Sequence, residues 1–158
     1  DVQTFYDADY PDGMLYYWKS AYLDDLSDDA IQVLVSDGVD RPSPLSNLDV
    51  WYLGGEMARV EPEETAFWYR SVEAMIGVEA NWKDPAQSDA NIRWARDLVA
   101  DLEPYASDGS YANFGGFQGD TDNPSRKIYG GNYDRLVEIK RTYDPDNLFR
   151  FNHNIDPS

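Results

Sequence analysis

The chain has 158 residues, of which 42% are hydrophobic and 15% aromatic, so it can bury the core of one domain and is not expected to be disordered. It contains no cysteine and one histidine, His153, which excludes disulfides, iron–sulfur clusters and multi-histidine metal centres. Thirty acidic residues against 13 basic ones give a net charge of −17, which disfavours binding to nucleic acid.

The acidic residues are mainly aspartate: 22 of the 30 acids are Asp, and only four of the 13 bases are Lys. An Asp-rich, Lys-poor surface is typical of proteins that work in concentrated salt, where a Debye length of about 3 Å screens self-repulsion. We therefore predict a halophilic source. The sequence has no run of about 18 apolar residues, so no membrane span is expected, and a cytoplasmic location is compatible with the composition.

The beginning of the sequence, Asp1-Val2-Gln3-Thr4, has neither the basic region nor the apolar region of a signal peptide. It has no initiator methionine either. We expect a chain that begins inside a longer protein.

The first half of the chain is predicted to contain most of the strands. Residues 14–18 form an aromatic strand after the turn signal Pro11-Asp12-Gly13. A helix capped by Ser27 follows, and its apolar face consists of Ala30, Ile31, Leu34 and Val35. Three further strands are predicted at residues 48–53, 65–69 and 74–82.

The second half is predicted to be mainly helical. Ser88 or Asp89 is predicted to cap a long helix that ends before Pro104. Its buried stripe consists of Ile92, Ala95, Leu98, Val99 and Leu102. A loop rich in Gly, Asp and Asn covers residues 115–125, and a last helix at residues 132–142 stops at Asp144-Pro145. The order of elements predicts an α+β fold, an antiparallel sheet with helices packed on one face.

Several segments, taken in order, resemble the carboxy-terminal third of the berberine-bridge-enzyme-like FAD oxidases. They are Tyr16-Tyr17-Trp18-Lys19-Ser20, Pro42-Ser43-Pro44-Leu45-Ser46, Leu53-Gly54-Gly55, Thr65-Ala66-Phe67, Tyr111-Ala112-Asn113-Phe114, Tyr129-Gly130-Gly131-Asn132-Tyr133 and Tyr143-Asp144-Pro145-Asp146-Asn147-Leu148-Phe149. Each segment alone is weak evidence for the resemblance, but the ordered series with this spacing is strong evidence.

The resemblance implies a two-domain flavoprotein related to vanillyl-alcohol oxidase. An amino-terminal domain, absent from this chain, would hold most of the FAD, and a substrate domain would cover the flavin ring with an antiparallel sheet. Residues 1–107 would then be part of the substrate-binding domain. Residues 108–158 would form the carboxy-terminal berberine-bridge-type segment, which returns to pack beside the missing FAD-binding domain.

The resemblance also assigns site residues. Tyr111, on a strand facing the flavin, would be the catalytic base, and Asn113, Asn152 and Asn154 would bind the cofactor. An unperturbed tyrosine has a pKa of about 10, so Tyr111 would need assistance from a neighbouring cation or from the flavin. The alternative is a buried strand tyrosine for Tyr111 and local turn chemistry for the two later asparagines.

Lys19, Trp68 and Arg70 are the predicted substrate-binding residues. Trp68 and Tyr69 stand where relatives carry Pro-His, and Gly77 stands where plant relatives often carry a pocket Gln. An aromatic pocket that stacks on sugars would explain this pattern, and ordinary packing of the sheet face is the alternative. Leu148 and Phe149 are expected to anchor the tail in the core.

The favoured function is that of a fragment of an FAD-dependent oxidoreductase, which oxidises a small-molecule alcohol, a sugar or secondary-metabolite hydroxyl, by hydride transfer to flavin. The chain alone is expected to be inactive. The alternative is a non-catalytic binding or interaction module. A glycosidase using Glu73 and Glu79 on one strand ranks last, since it would require a strongly raised carboxyl pKa.

Overall fold

The computed structural model describes residues 4, 7, 10–117 and 123–158, and its centre is a four-stranded antiparallel sheet. The strands are β1 (Leu15–Leu23), β2 (Asn47–Tyr52), β3 (Ala74–Trp82) and β4 (Ala106–Ser107), in the spatial order β2-β3-β1-β4. The predicted α+β class with an antiparallel sheet is confirmed.

Strands β1 and β3 form the middle of the sheet and pair along their whole length, from Leu15 opposite Trp82 to Leu23 opposite Ala74. Every residue of β3 is buried, because β1 and β2 pair with its two edges and other elements cover both of its faces. Side chains alternate between the two faces of a strand, so the sheet separates two groups of β3 residues. Ile76, Val78 and Ala80 face one layer, while Gly77 and Glu79 face the other.

The first layer contains the helices α1 (Asp28–Val39) and α2 (Ser88–Leu102). The Ser27 side chain caps α1 by accepting a hydrogen bond from Ala30 N at 3.3 Å, as predicted. The helices pack on the sheet through a core of buried apolar side chains. These are Tyr17, Ala21, Leu23, Ala30, Leu34, Ile76, Val78, Ala80, Trp82, Trp94, Ala95, Leu98 and Leu102.

Two details of this helical layer differ from the prediction. Ile31 and Val35 do not share the buried face of α1, since they are 43% and 57% exposed. The residue before α2 is Gln87, whose side chain makes no capping bond. Ser88 is already helical, and its hydroxyl accepts a hydrogen bond from Trp82 Nε1 at 3.0 Å instead.

The opposite face of the sheet carries a second core, which we call the aromatic cluster. Its buried members are Tyr22, Leu53, Tyr69, Val72, Met75 and Phe114, and Trp18, Phe67, Trp68 and Tyr111 pack against them. The strand predicted at residues 65–69 is wrong, because this segment is irregular. The Tyr69 ring of this segment stacks on Tyr22 with 4.5 Å between ring centroids. The segment therefore packs on the face of the sheet through its side chains and does not pair with a strand by backbone hydrogen bonds.

The carboxy-terminal part contains α3 (Pro124–Tyr129) and α4 (Tyr133–Tyr143). The last helix was predicted within one residue at each end, and Asp144 follows it. Leu148 and Phe149 do not anchor the tail in the core, since they are 71% and 80% exposed. The backbone is held instead by Asp144, whose carboxylate accepts hydrogen bonds from Leu148 N at 2.7 Å and Phe149 N at 3.1 Å.

The predicted loop at residues 115–125 lies partly outside the described residues, at positions 118–122. No helix in the described ranges combines the length and the apolar character needed to cross a bilayer.

Candidate active site

Tyr111 and Asn113 lie together on the aromatic-cluster face of the sheet. They belong to a tight turn, with Tyr111 extended and a 3₁₀ turn at Ala112–Phe114, so the predicted strand at this position is wrong. Asn113 Nδ2 donates a hydrogen bond to the Tyr111 hydroxyl at 3.2 Å. The two predicted residues are therefore direct partners, although they lie in a turn and not on the expected strand.

Ser20 of β1 fixes this turn to the sheet. Its hydroxyl accepts a hydrogen bond from Tyr111 N at 2.9 Å and donates one to Phe114 O at 3.5 Å. A buried hydroxyl that bonds both ends of a turn helps to determine where the turn sits, because buried polar groups are satisfied by hydrogen bonds. The position of Tyr111 is thus set by β1.

Tyr22 is a second tyrosine close to Tyr111, and it is almost fully buried. Burial raises the pKa of Tyr22 well above its usual value, and the neighbouring Tyr111 and Tyr69 raise it further. Tyr22 therefore remains a neutral hydroxyl and is unsuited to accept a proton.

The carboxy-terminal segment 150–153 borders the same turn and forms a cleft with it. Asn113, Phe117, Asn152 and His153 line this cleft. His153 Nε2 is 2.8 Å from Ala112 O, which joins the tail to the turn. Asn152 adopts a left-handed backbone with φ 59°, so part of its role is turn chemistry.

Asn154 is held by its backbone, since Ser125 Oγ donates to Asn154 O at 2.7 Å. Its side-chain Oδ1 is buried and has no hydrogen-bond partner among the described residues. An unpaired buried amide oxygen costs free energy, so a site that supplies a donor would stabilise it. The predicted role of Asn154 in cofactor binding stays a prediction.

The three residues predicted to bind substrate are not among the residues that line this cleft. Lys19 shares the helix-facing side of β1 with Tyr17 and Ala21 and borders a polar cleft with Glu103 and Lys127. Its backbone pairs with Gly115, which lines the cleft beside Asn113, and a role for Lys19 in substrate binding stays a prediction.

Trp68 and Arg70 make packing and loop contacts. The Trp68 ring lies against the backbone of Gly130 and Gly131, where an added Cβ would come within 2.4 Å and 2.5 Å of it. Arg70 donates hydrogen bonds to Met57 O at 3.1 Å and Thr65 Oγ1 at 2.6 Å. A role for these side chains in substrate binding remains a prediction.

Glu79 is a buried carboxyl on the sheet face that the sequence did not single out as part of this site. Its Oε2 accepts a hydrogen bond from the Tyr10 hydroxyl at 2.8 Å, and Asp49 of β2 lies close enough to act on its charge. Burial raises the pKa of Glu79 to about 7, the Tyr10 hydrogen bond opposes this rise, and the nearby Asp49 adds to it. The sequence named Glu79 only as half of the lowest-ranked glycosidase pair, and period-two alternation along β3 places it on the face of Gly77.

Known proteins that resemble this chain agree in one family. Residues 110–156 match the profile of the family described as berberine and berberine-like. The uncharacterized FAD-linked oxidoreductase YgaK of Bacillus subtilis is 40% identical over 119 residues, which are 73% of this chain and 25% of the relative. The monolignol oxidoreductase AtBBE-like 13 of Arabidopsis thaliana is 30% identical over 147 residues, covering 76% of this chain and 28% of that protein.

The fold has solved counterparts as well. BBE-like 28 from Arabidopsis thaliana superimposes with a TM-score of 0.79 at 22% identity, over 91% of this chain and 34% of that structure. The chain therefore spans between about a quarter and a third of the length of the proteins it matches.

Proposed function

Because the chain belongs to the berberine-bridge-enzyme-like FAD-linked oxidoreductases, we propose that it is the substrate-covering and carboxy-terminal part of an FAD-dependent enzyme that oxidises an alcohol. Residues 1–107 would belong to the substrate domain and residues 108–158 to the carboxy-terminal segment. Bound FAD would accept a hydride from the substrate carbon. The remaining tasks, which are positioning and removal of the hydroxyl proton, would belong to this chain.

The observation that carries the proposal is the pairing of Tyr111 with Asn113 beside the aromatic cluster of the sheet. Asn113 Nδ2 donates to the Tyr111 oxygen at 3.2 Å, which orients the Tyr111 hydroxyl. A positioned tyrosine hydroxyl is a group that can exchange a proton with a substrate hydroxyl. Ser20 supports this role because it holds the turn that carries Tyr111.

The chemistry of the carboxy-terminal segment fits the cofactor. The Asn154 Oδ1 atom is buried without a donor among the described residues, and FAD offers both N–H and O–H donors. Asn113 and Asn152 line the cleft beside this segment, and their side-chain amides offer it both donors and acceptors. These three asparagines would hold the cofactor from the side of this chain.

Most of the FAD would be held by a further domain of a longer protein, and the exposed tail offers a surface for it. Tyr143, Leu148, Phe149 and Phe151 are between 71% and 85% exposed, which is an unusually apolar surface for a chain of this charge. We propose that this tail patch contacts the FAD-binding domain. The same patch would support the alternative of a non-catalytic interaction module.

Flavin retention tests the proposed function. Asn154→Ala in the longer protein should lower the flavin-to-protein absorbance ratio after gel filtration, because it removes an acceptor from the cofactor. Asn91→Ala is the matched control, since Asn91 also has a buried Oδ1 without a partner but lies on α2, on the opposite side of the sheet. Equal flavin loss in both variants, or in neither, would contradict the assignment.

A further inference from the structure

The carboxyl of Glu79 already holds an aromatic hydroxyl. The Tyr10 hydroxyl donates to Glu79 Oε2 at 2.8 Å, and the Tyr10 ring meets Trp18 edge-on with centroids 5.8 Å apart. Tyr10 lies outside the sheet, because the turn Pro11-Asp12-Gly13 separates it from β1. A phenol thus sits against a carboxylate and an indole that both belong to the sheet.

Trp18 is fixed independently of Tyr10, and the backbone of Glu79 is fixed by strand pairing. Trp18 lies directly opposite Glu79 in the register of β1 and β3, and its indole Nε1 donates to Asn81 Oδ1 at 2.7 Å. Phe114 packs edge-on against Trp18 with a centroid distance of 5.2 Å and against Tyr111 at 5.5 Å. The Trp18 side chain and the Glu79 backbone therefore keep their places if Tyr10 moves, and Phe114 lies between Trp18 and Tyr111.

We propose that Glu79 and Trp18 form a binding subsite for a hydroxylated aromatic ring, which Tyr10 occupies in this structure. The carboxylate recognises the hydroxyl and the indole edge contacts the ring. The subsite deepens the function proposed above, on which its role in substrate binding rests, by naming a phenol or aromatic alcohol as the class of substrate.

The ionisation of Glu79 makes this recognition dependent on pH. The titratable groups that act on Glu79 are Tyr10, which hydrogen-bonds it from the amino-terminal segment, and Asp49, which lies nearby on β2, while β1 supplies the neutral Trp18. A carboxylate accepts a hydrogen bond from a phenol more strongly than a protonated carboxyl does. Because burial raises the pKa of Glu79 to about 7, affinity should rise with pH through neutrality and then level off.

The probe for the subsite is 4-methylphenol, which copies the Tyr10 side chain, and toluene is the same ring without the hydroxyl. In the flavin-free chain, Tyr10→Ala should bind 4-methylphenol at least about tenfold more tightly than the unmodified chain. Tryptophan fluorescence measures the binding. The gain should grow between about pH 5 and pH 8.5, below the phenol pKa of about 10. Toluene should bind without this pH dependence.

Glu79→Gln in the Tyr10→Ala background keeps the size and polarity of the side chain but cannot ionise. It should abolish the pH dependence and weaken 4-methylphenol binding at pH 8 by about tenfold, which is about 1.4 kcal/mol. If Tyr10→Ala and the double variant had the same affinity or the same pH profile, the subsite would be overturned. A folded Tyr10→Ala chain that binds 4-methylphenol no better than the unmodified chain would also overturn the subsite.

A second measurement does not require the cavity variant to fold. Carbon-13 NMR of labelled glutamate carboxyls should show Glu79 titrating near pH 7 in the unmodified chain. The midpoint should move up in Tyr10→Phe, which removes the hydroxyl, and down in Asp49→Asn, which removes the neighbouring charge. Unchanged midpoints in both variants would contradict the contacts on which the subsite depends.

These measurements use the chain without flavin, so they separate the subsite from the proposed function. Loss of flavin binding in the longer protein would defeat the function and leave the phenol subsite intact. Failure of pH-dependent phenol binding would defeat the subsite and leave flavin binding intact.

Discussion

The ring of Phe114 lies on the backbone of Gly77, so close that a Cβ at Gly77 would stand 3.0 Å from Phe114 Cε2. Gly77 is inside β3, and its backbone is not in the left-handed region, so glycine is required here for space. The contact seats the turn that carries Tyr111 and Asn113 on the sheet. The space left at Gly77 on β3 and the Ser20 hydroxyl on β1 therefore together seat the turn that carries the candidate catalytic tyrosine.

Gly77→Ala is expected to destabilise the chain by about 1–2 kcal/mol, because the added methyl group must displace a well-packed ring. Urea unfolding measures the change. The control is the double variant with Phe114→Leu, in which the smaller side chain makes room for the methyl group, so the cost of Gly77→Ala should largely disappear. Additive effects of the two substitutions would show that the contact does not constrain the turn.

Glu79 should make the stability of the chain fall as the pH rises towards neutrality. Its pKa is raised from 4.5 to about 7 by burial, so between these values the folded state binds more protons than the unfolded state. The contribution is fully present below pH 4.5 and is lost as the pH passes about 7.

Glu79→Gln should remove this slope and be more stable than the unmodified chain at pH 8, by at most about 3 kcal/mol. Thermal unfolding from pH 4.5 to pH 8 provides the test, with the exposed Glu103→Gln as the control that keeps the slope. A Glu79→Gln variant with the unmodified pH profile would refute the buried, protonated carboxyl.

Asp144 should have the opposite pH dependence. The hydrogen bond from the Lys140 ammonium holds the pKa of Asp144 below its usual value, and the backbone bonds from Leu148 and Phe149 act in the same direction. The stability that Asp144 contributes is present above its ordinary pKa of about 3.9 and is lost as the pH falls through the lower, folded value.

Asp144→Asn should therefore lower the Tm at about pH 7, and the difference from the unmodified chain should shrink towards about pH 2. Differential scanning calorimetry measures both values. The neighbouring exposed Asp146→Asn is the control and should leave the Tm close to that of the unmodified chain. A pH-independent loss of Tm in Asp144→Asn would indicate a packing defect in place of the charge effect.

High salt should stabilise the chain, because its net charge of −17 opposes compaction and salt screens that repulsion. The Tm is expected to rise between about 0.1 M and 1 M KCl, where the Debye length falls from about 10 Å to about 3 Å. Removing four exposed charges with Asp24→Asn, Asp25→Asn, Asp40→Asn and Asp101→Asn should reduce this rise. An unchanged salt response in that variant would contradict the predicted halophilic design.

The sequence predicted elements whose signals are local. Strand β3 was predicted at its observed bounds of residues 74–82, and Ser27 was identified as the cap of α1. The segment 65–69 has the same aromatic, β-favouring composition as a strand but no pairing partner. Its Trp68 packs on Gly130 and Gly131, more than 60 positions away, and sequence periodicity carries no information on such a contact.

The candidate site was also predictable only in part, because its geometry depends on contacts between residues far apart in the sequence. The motif containing Tyr111 and Asn113 was recognisable, but its turn geometry depends on the hydroxyl of Ser20, which is 91 positions from Tyr111. Glu79 was named only with Glu73 as the pair of a glycosidase, because its raised pKa depends on burial and on Asp49, against the Tyr10 hydrogen bond, and none of these can be derived from the sequence. Leu148 and Phe149 are apolar and yet exposed, which composition alone cannot indicate.

The central claim is that this chain works as one wall of a flavin site. The most direct measurement is the visible absorption spectrum of the longer protein purified from its own host, recorded without oxygen before and after an aromatic alcohol is added. The account predicts an oxidised flavin spectrum that bleaches on addition of the alcohol. A colourless protein that contains no flavin would contradict it.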